Sequence, residues 1–126
     1  MERVEQRQLS ALQALTALSE AISMEKSTVI RDACILRFQL AFEATWKYAQ
    51  AYLKQEDGIE VASPRKVVRS CFEAGYLSES ITEICLEMID DRNLVVHTYD
   101  QELAESIYED LPRFAEAIKN WLEALQ

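Results

Sequence analysis

The segment from residue 92 to residue 99 contains the only histidine of the chain, His97, which follows Arg92 by five residues and precedes Tyr99 by two. Because its ordinary pKa is about 6.5, a histidine can both accept and donate a proton at neutral pH. An arginine stays charged and can hold a phosphate through two parallel hydrogen bonds. Arg92 and His97 are therefore candidates for metal-free cleavage of a phosphodiester.

The same two residues also have a structural interpretation. Arginines on helices are commonly solvated or ion-paired, and a single histidine is more often a structural residue than a catalyst. Their spacing adds a constraint, because five residues of an ideal helix turn through about 500° and leave Arg92 and His97 well apart around the axis. A shared site requires either a helix end between them or a second copy of the chain.

The composition predicts a single all-α domain over residues 1–126. The chain has 49% hydrophobic residues, two glycines, two prolines, many Ala, Leu, Glu and Gln residues, and no extended strand-like alternation. These features favour helices, and a chain of this length can bury one core. We expect an up-and-down bundle of four or five helices, in which polar sites form between the helices.

The first two predicted helices run from about residue 3 to 23 and from about Thr28 to Lys54. In the first, leucines recur at spacings of three and four, which is typical of an amphipathic helix. The second has a broad apolar stripe that predicts either core or dimer surface; its members are Ala33, Leu36, Phe38, Phe42, Trp46, Ala49 and Leu53. A surface loop is expected from Gln55 to Ala62.

End signals predict a third and a fourth helix. Ser63 and Pro64 are a favoured N-cap and first helical residue, and Gly75 can end the third helix in a left-handed conformation. The capping-box sequence from Ser80 to Glu83 predicts that the fourth helix begins near residue 80 and leads into the segment with the candidate residues.

A fifth helix should begin just after that segment, where Thr98 or Asp100 can cap it. Apolar residues then recur at helical spacing to the end of the sequence. Pro112 interrupts this pattern, and its ring would crowd the carbonyl of Tyr108. A kink or break is therefore expected near Tyr108.

The cysteines predict neither disulfides nor a zinc site. Cys34, Cys71 and Cys85 are an odd number, and their spacing is not that of zinc ligands. We expect buried free thiols in a reducing cytoplasm, with no metal and no other cofactor. The polar amino terminus does not resemble a signal peptide, and no apolar run is long enough to span a membrane, so a soluble cytoplasmic protein is expected.

Charge is distributed unevenly along the chain. Residues 1–72 contain 10 Lys and Arg against 9 Asp and Glu, whereas residues 73–126 contain 3 against 13. This balance argues against non-specific nucleic-acid binding, which depends on cationic contacts with phosphates. A role with RNA needs a local basic patch, a composite site or a partner. The densest basic cluster, formed by Arg65, Lys66 and Arg69, is either a solvated helix face or a phosphate-binding patch.

Several sequence blocks occur in a characteristic order: Arg37-Phe38, Phe42-Glu43, Trp46-Lys47, Ser63-Pro64-Arg65, Asp90-Asp91-Arg92-Asn93 and His97-Thr98-Tyr99. This order resembles the HEPN superfamily, and more closely its branch of nucleotidyltransferase substrate-binding proteins, or HepT-type toxins. The resemblance extends over roughly residues 30 to 126. Its most specific element is a motif in which an arginine is followed by four residues, a histidine, one further residue and a tyrosine.

The resemblance implies a helical bundle that forms a symmetric homodimer with both motifs in one cleft. It implies a metal-independent endoribonuclease toxin, in which His97 exchanges protons with the ribose 2′-hydroxyl or the leaving 5′-oxygen while Arg92 stabilises charge on the phosphate. Asn93 would support them. The implied partner is a small nucleotidyltransferase antitoxin, whose transfer of AMP to Tyr99 would block the cleft against RNA.

Two other interpretations remain open from the sequence. The chain can be a non-catalytic accessory subunit that binds a nucleotide or presents a substrate to the nucleotidyltransferase, since its acidic carboxyl half suits a basic partner. Alternatively, the segment is only a polar helix end. A magnesium site at Asp90 and Asp91 is disfavoured, because adjacent helical residues point about 100° apart and Arg92 adjoins them.

Overall fold

Five α-helices and one short 3-10 turn form the part of the chain that the computed structural model describes, which is residues 2–126, with side chains from residue 3 onward. The elements are α1 (Glu2–Ile22), α2 (Thr28–Asp57), α3 (Pro64–Glu73), α4 (Glu79–Leu94), the 3-10 turn (Val95–His97) and α5 (Gln101–Ala124). Residues 2–126 contain no β-strand, which confirms the all-helical prediction. Within the same range, no helix is both long enough and apolar enough to cross a membrane.

The central element is α2, which contacts the other four helices and the 3-10 turn. Phe38 and Phe42 are fully buried on its inner side, and Phe38 stacks against Phe114 of α5 with ring centroids 5.4 Å apart. Burial of such large apolar side chains is the dominant favourable contribution to folding. A helix fixed in this way provides a rigid reference for positioning α4 and α5.

The end of α2 lies further along the chain than the sequence predicts. The helix continues to Asp57, and Gly58 ends it in the left-handed region with a φ of 67°. The N–H of Gly58 donates to the carbonyl of Lys54. Since glycine adopts a positive φ without steric cost, this residue sets the helix end, and the predicted loop begins at Gly58 rather than at Gln55.

The ends of α3 agree with the prediction. Ser63 is extended and its side chain accepts a hydrogen bond from the N–H of Lys66, while Pro64 is the first helical residue. Gly75 follows the helix with a φ of 87°. These are the N-cap and the left-handed glycine expected from the sequence.

The helix α4 begins near residue 80, as predicted, but its N-cap lies two residues before the predicted one. Ser78, rather than Ser80, is extended and accepts the N–H of Ile81, so that the helix begins at Glu79. The predicted capping box at Ser80 is therefore wrong. Ser80 lies inside the first turn, because the buried Leu77 places Ser78 directly at the point where the chain turns into the helix.

The predicted break in α5 is also wrong, because the helix runs uninterrupted through Pro112. Pro112 is exposed, whereas Leu111 and Phe114 beside it are fully buried. Burial of these two side chains holds the helix against the core on both sides of the proline. It outweighs the loss of one backbone hydrogen bond on the solvent side.

The three cysteines are buried and free, as the sequence predicts. Burial raises the pKa of Cys85 to about 12 and that of Cys71 to about 11. Both thiols are therefore protonated at neutral pH and pack as small apolar groups.

Candidate functional site

A helix end separates Arg92 from His97, which is one of the two arrangements that their spacing requires. The helix α4 ends at Leu94, and His97 lies in the 3-10 turn that follows it. Two backbone hydrogen bonds close the segment, from the N–H of Thr98 to the carbonyl of Val95 and from the N–H of Asp100 to the carbonyl of His97. We call residues 92–99 the motif segment.

Asp100 connects the motif segment to α5. Its carboxylate accepts the N–H groups of Glu102 and Leu103 at 3.0 and 3.3 Å. These groups have no partner within the helix, and a carboxylate also interacts favourably with the positive end of the helix dipole. Of the two predicted caps, Asp100 is the one used, while the hydroxyl of Thr98 donates to the carbonyl of Val95.

Arg92 is held by α2. Its Nε donates to Oε1 of Glu43 at 2.5 Å, and the other carboxylate oxygen of Glu43 accepts the indole N–H of Trp46 at 3.0 Å. Arg92 and Glu43 are both half-buried. Nη1 of Arg92 also donates to the side-chain oxygen of Asn93 at 3.1 Å. The guanidinium is thus fixed from two sides.

Glu43 is a site residue to which the sequence analysis assigned no role. It lies 49 residues before Arg92, and nothing local in the sequence indicates that the two residues pair. The available signal was its place in a sequence block shared with the HEPN superfamily, three residues before Trp46 on one helix face. That spacing places its carboxylate within reach of the indole N–H.

His97 and Tyr99 are exposed and lie next to each other. The Tyr99 hydroxyl is 3.5 Å from Nδ1 of His97, and the two rings are nearly perpendicular with centroids 6.0 Å apart. This hydrogen bond is long and therefore weak. Nε2 of His97 makes no hydrogen bond to any described residue, so this nitrogen is available to a substrate.

Within one chain the structure does not join Arg92 to His97. Among the described side chains, Arg92 bonds to Glu43 and Asn93, whereas His97 contacts Tyr99. The two candidate catalytic groups lie on one short segment but have separate partners. A site that uses both groups needs either a substrate that bridges them or a second chain.

The sequence matches the family described as nucleotidyltransferase substrate binding protein like, over residues 6–126. The chain belongs to this family. A solved structure from Thermus thermophilus is 44% identical with a TM-score of 0.89, and the match covers 92% of this chain and 98% of that one. No curated protein sequence matches the chain.

Two more distant structures share the fold. HI0074 of Haemophilus influenzae, a substrate binding domain of a nucleotidyltransferase, is 23% identical with a TM-score of 0.68, covering 98% of this chain and 97% of its own. A tri-AMPylated HEPN toxin of Shewanella oneidensis, solved with its MNT antitoxin, is 16% identical with a TM-score of 0.62, covering 92% and 96%. The resemblance to nucleotidyltransferase substrate-binding proteins is thereby confirmed, and the HEPN toxin shares the fold of this chain.

The basic cluster of α3 lies apart from Arg92. Arg65 donates to Asp90 at 3.3 Å, and Lys66 and Arg69 are exposed. Asp90 precedes Arg92 by two residues, so the two side chains leave α4 about 200° apart. Within one chain the cluster does not face the guanidinium of Arg92, and its binding of phosphate stays a prediction.

An exposed apolar stripe runs along α2 beside the Glu43 anchor. Val29, Leu36 and Leu40 occur at spacings of seven and four, which places them on one helix face, and each is more than half exposed. Leu36, which the sequence assigned to a stripe of core or dimer surface, thus faces outward. In the motif segment Val96 is 73% exposed and Tyr99 78%. Apolar exposure on this scale is typical of an interaction surface.

Asp91, which directly precedes the motif segment, has a clearly shifted pKa. Burial raises its pKa to about 6, and the carboxylates of Asp110, Glu87 and Asp90 add to this effect while Arg113 opposes it. The shift disfavours the ionised form that a magnesium site would need. The described residues also contain no group of three or more candidate metal ligands.

Replacing Glu43 by alanine should destabilise the protein by about 2 kcal/mol, measured by urea denaturation. The substitution removes the acceptor of both the Arg92 Nε–H and the Trp46 indole N–H. Arg65→Ala is the matched control, because its pair with Asp90 is more exposed and should contribute less than about 0.5 kcal/mol. Equal losses in the two variants would show that Glu43 does not anchor Arg92.

Asp91→Asn should stabilise the protein at about pH 7.5, and the gain should shrink as the pH falls toward about 4. The folded-state pKa of about 6 lies above the ordinary value of 3.8. Between these values the folded chain keeps a proton that the unfolded chain releases, so wild type loses stability as the pH rises through this window.

Thermal unfolding at several pH values measures this effect, and Glu83→Gln controls for the loss of one exposed negative charge on the same helix. A stabilisation by Asp91→Asn that stays constant with pH would contradict the raised pKa.

Proposed function

We propose that this protein is a metal-independent endoribonuclease, the toxin of a toxin–antitoxin pair, controlled by a small nucleotidyltransferase that adds AMP to Tyr99. One observation carries the proposal. A half-buried arginine, fixed on α2 by Glu43, lies five residues before an exposed histidine whose Nε2 makes no hydrogen bond to any described residue. These two groups are those that phosphodiester cleavage requires without a metal.

The chemistry uses His97 and Arg92 in separate roles. Nε2 of a neutral His97 accepts the proton of the ribose 2′-hydroxyl, whose oxygen attacks the phosphorus, and a protonated His97 donates to the 5′-oxygen as the P–O5′ bond breaks. The products are a 2′,3′-cyclic phosphate and a 5′-hydroxyl. Arg92 neutralises the negative charge that builds up on the phosphate oxygens, and Asn93 restricts its orientation.

A symmetric homodimer completes the proposed site. The apolar stripe of Val29, Leu36 and Leu40 and the exposed Val96 flank Glu43 and the motif segment, and a second copy can cover them. Across a two-fold axis, Arg92 of one copy can face His97 of the other. This arrangement accounts for the absence, among the described residues, of a contact between them in a single chain.

The exposure of Tyr99 supports its role as the AMP acceptor. Its side chain is 78% exposed, and its hydroxyl lies 3.5 Å from the ring of His97. A nucleotide added there would cover His97 and would repel RNA phosphates. The Shewanella HEPN toxin of the same fold is itself tri-AMPylated and bound to an MNT antitoxin.

The acidic composition limits how RNA can be bound. The chain carries a net charge of −9, so phosphates must be held locally by Arg92, with Arg65, Lys66 and Arg69 as further candidates. The buried free thiols agree with a reducing compartment, and we place the reaction in the cytoplasm.

An accessory role is the second candidate. The family description is that of a nucleotidyltransferase substrate binding protein, and HI0074 is described as a substrate binding domain of a nucleotidyltransferase. In this role the chain is not catalytic and binds a nucleotide or presents a substrate to the transferase. Its acidic carboxyl half would then bind a basic surface of that partner.

The purified chain should cleave total RNA in excess chelator, and His97→Ala and Arg92→Ala should each lower the rate by at least about 100-fold while the protein stays folded. Tyr99→Phe should retain cleavage but no longer accept AMP, because only the hydroxyl is removed. Lys119→Ala is the matched control for loss of a positive charge, since this exposed residue lies far along α5 from the motif segment.

Two outcomes would reverse the assignment. Folded, unmodified, dimeric wild type that cuts no RNA but is required for transfer by the nucleotidyltransferase would establish the accessory role. Cleavage that chelator abolishes would exclude the metal-free mechanism.

A further inference from the structure

Arg31 is a buried arginine at the beginning of α2, with 4% of its surface exposed. All three guanidinium nitrogens donate hydrogen bonds: Nε to Asp32 at 3.1 Å, Nη1 to Glu105 at 3.1 Å and Nη2 to Gln101 at 2.7 Å. Burying a charged group is unfavourable unless it is paired and fully hydrogen-bonded. Each guanidinium nitrogen has an acceptor here, and the charge is paired with two carboxylates.

Two of the partners belong to the first turns of α5. Gln101 is the first residue of that helix, and Glu105 follows it by four residues on the same face. Arg31 therefore binds the beginning of α5 through hydrogen bonds to two of its side chains. Lys26 donates to the other oxygen of Glu105 at 2.6 Å, and the contacts with Lys26 and Arg31 lower the pKa of Glu105 and keep it ionised.

This contact lies directly beside the motif segment. Gln101 follows Tyr99 by two residues, and its side-chain nitrogen approaches the carbonyl oxygen of Tyr99 at 3.5 Å. At the other end of the segment, Arg92 is bound to Glu43. Both anchors are on α2, twelve residues apart, or about 18 Å along the helix. His97 and Tyr99 thus lie between two arginine contacts to the same helix.

We propose that Arg31 is a positioning residue that fixes the direction of His97 and Tyr99 by holding the beginning of α5. Its guanidinium touches neither of them and acts through Gln101 and Glu105. Without this contact, α5 would lose its link from Gln101 to α2, and the chain from residue 98 to residue 101 would keep only its local hydrogen bonds, the Asp100 cap and the Lys26–Glu105 pair. The consequence for catalysis and for AMP transfer rests on the proposed function, whereas the positioning itself does not.

The test compares Arg31→Met, Arg31→Lys and Arg113→Met. Arg31→Met removes the hydrogen bonds to Gln101 and leaves Glu105 paired with Lys26. Arg113→Met is the control, because Arg113 joins α5 to a neighbouring helix, α4, through Glu87 and bonds Asp110 of its own helix, away from Gln101. If Arg31→Met does not fold, Gln101→Ala removes the one of the two contacts that lies nearer to Tyr99, while Arg31 stays paired with Glu105.

The first readout needs no activity. Amide hydrogen exchange of residues 98–104 should become at least about tenfold faster in Arg31→Met, and the ring contact between His97 and Tyr99 should weaken in nuclear Overhauser spectra. Arg31→Lys should restore part of the protection, since a lysine can reach one partner but cannot bind two. Arg113→Met should leave these residues unchanged.

The second readout uses activity. In Arg31→Met the kcat of RNA cleavage and the rate of AMP transfer to Tyr99 should each fall at least about tenfold with little change in KM, because substrate contacts remain while the reacting groups lose their orientation. Unchanged exchange at residues 98–104 in a folded Arg31→Met protein would overturn the inference. A wild type without either activity would instead overturn the proposed function and leave the exchange result decisive for Arg31.

Discussion

The geometry of the candidate site depends on charge-assisted hydrogen bonds between arginines and acceptors on neighbouring helices. Arg92 reaches from α4 to Glu43 on α2, and Arg31 reaches from α2 to Gln101 and Glu105 on α5. An arginine can make several such bonds in a fixed planar arrangement, which restricts direction as well as distance. The motif segment has little buried surface of its own, because no residue of its 3-10 turn is buried. These polar contacts at its ends position it together with its backbone hydrogen bonds and the packing of Val95 against the core.

In the proposed function, the exposure of the motif segment gives the modifying enzyme access to Tyr99. A catalytic histidine sequestered in a deep pocket would be inaccessible to a modifying enzyme, whereas Tyr99 lies beside His97 at the surface. For the proposed reaction a single chain is incomplete, because Arg92 and His97 do not meet within it. In the proposed dimer, a second copy placed on the apolar stripe of α2 brings Arg92 of one chain to His97 of the other. The cleft between the copies must then admit RNA, and the transferase must reach Tyr99 before RNA does. The acidic carboxyl half then confines RNA binding to the few cations near the cleft.

Much of the fold could be predicted from local sequence signals. The all-helical class follows from composition, the ends of α3 from Ser63, Pro64 and Gly75, and the beginning of α5 from the two candidate caps, Thr98 and Asp100. The errors at Ser80 and Pro112 arose where tertiary burial outweighed a local preference. The anchors could not be predicted, because Glu43 and Arg92 are 49 residues apart and Arg31 and Gln101 are 70 apart. No helical periodicity specifies which distant polar side chains meet.

The central claim is that Arg92 of one chain acts with His97 of another, and subunit mixing tests it most directly. His97→Ala and Arg92→Ala chains, each inactive alone, are mixed and allowed to exchange, and RNA cleavage is measured in chelator. Random exchange makes half of the dimers mixed, each with one intact composite site out of two, so activity should recover to about a quarter of wild type. Mixed dimers that are shown to form but cleave no RNA would contradict the account.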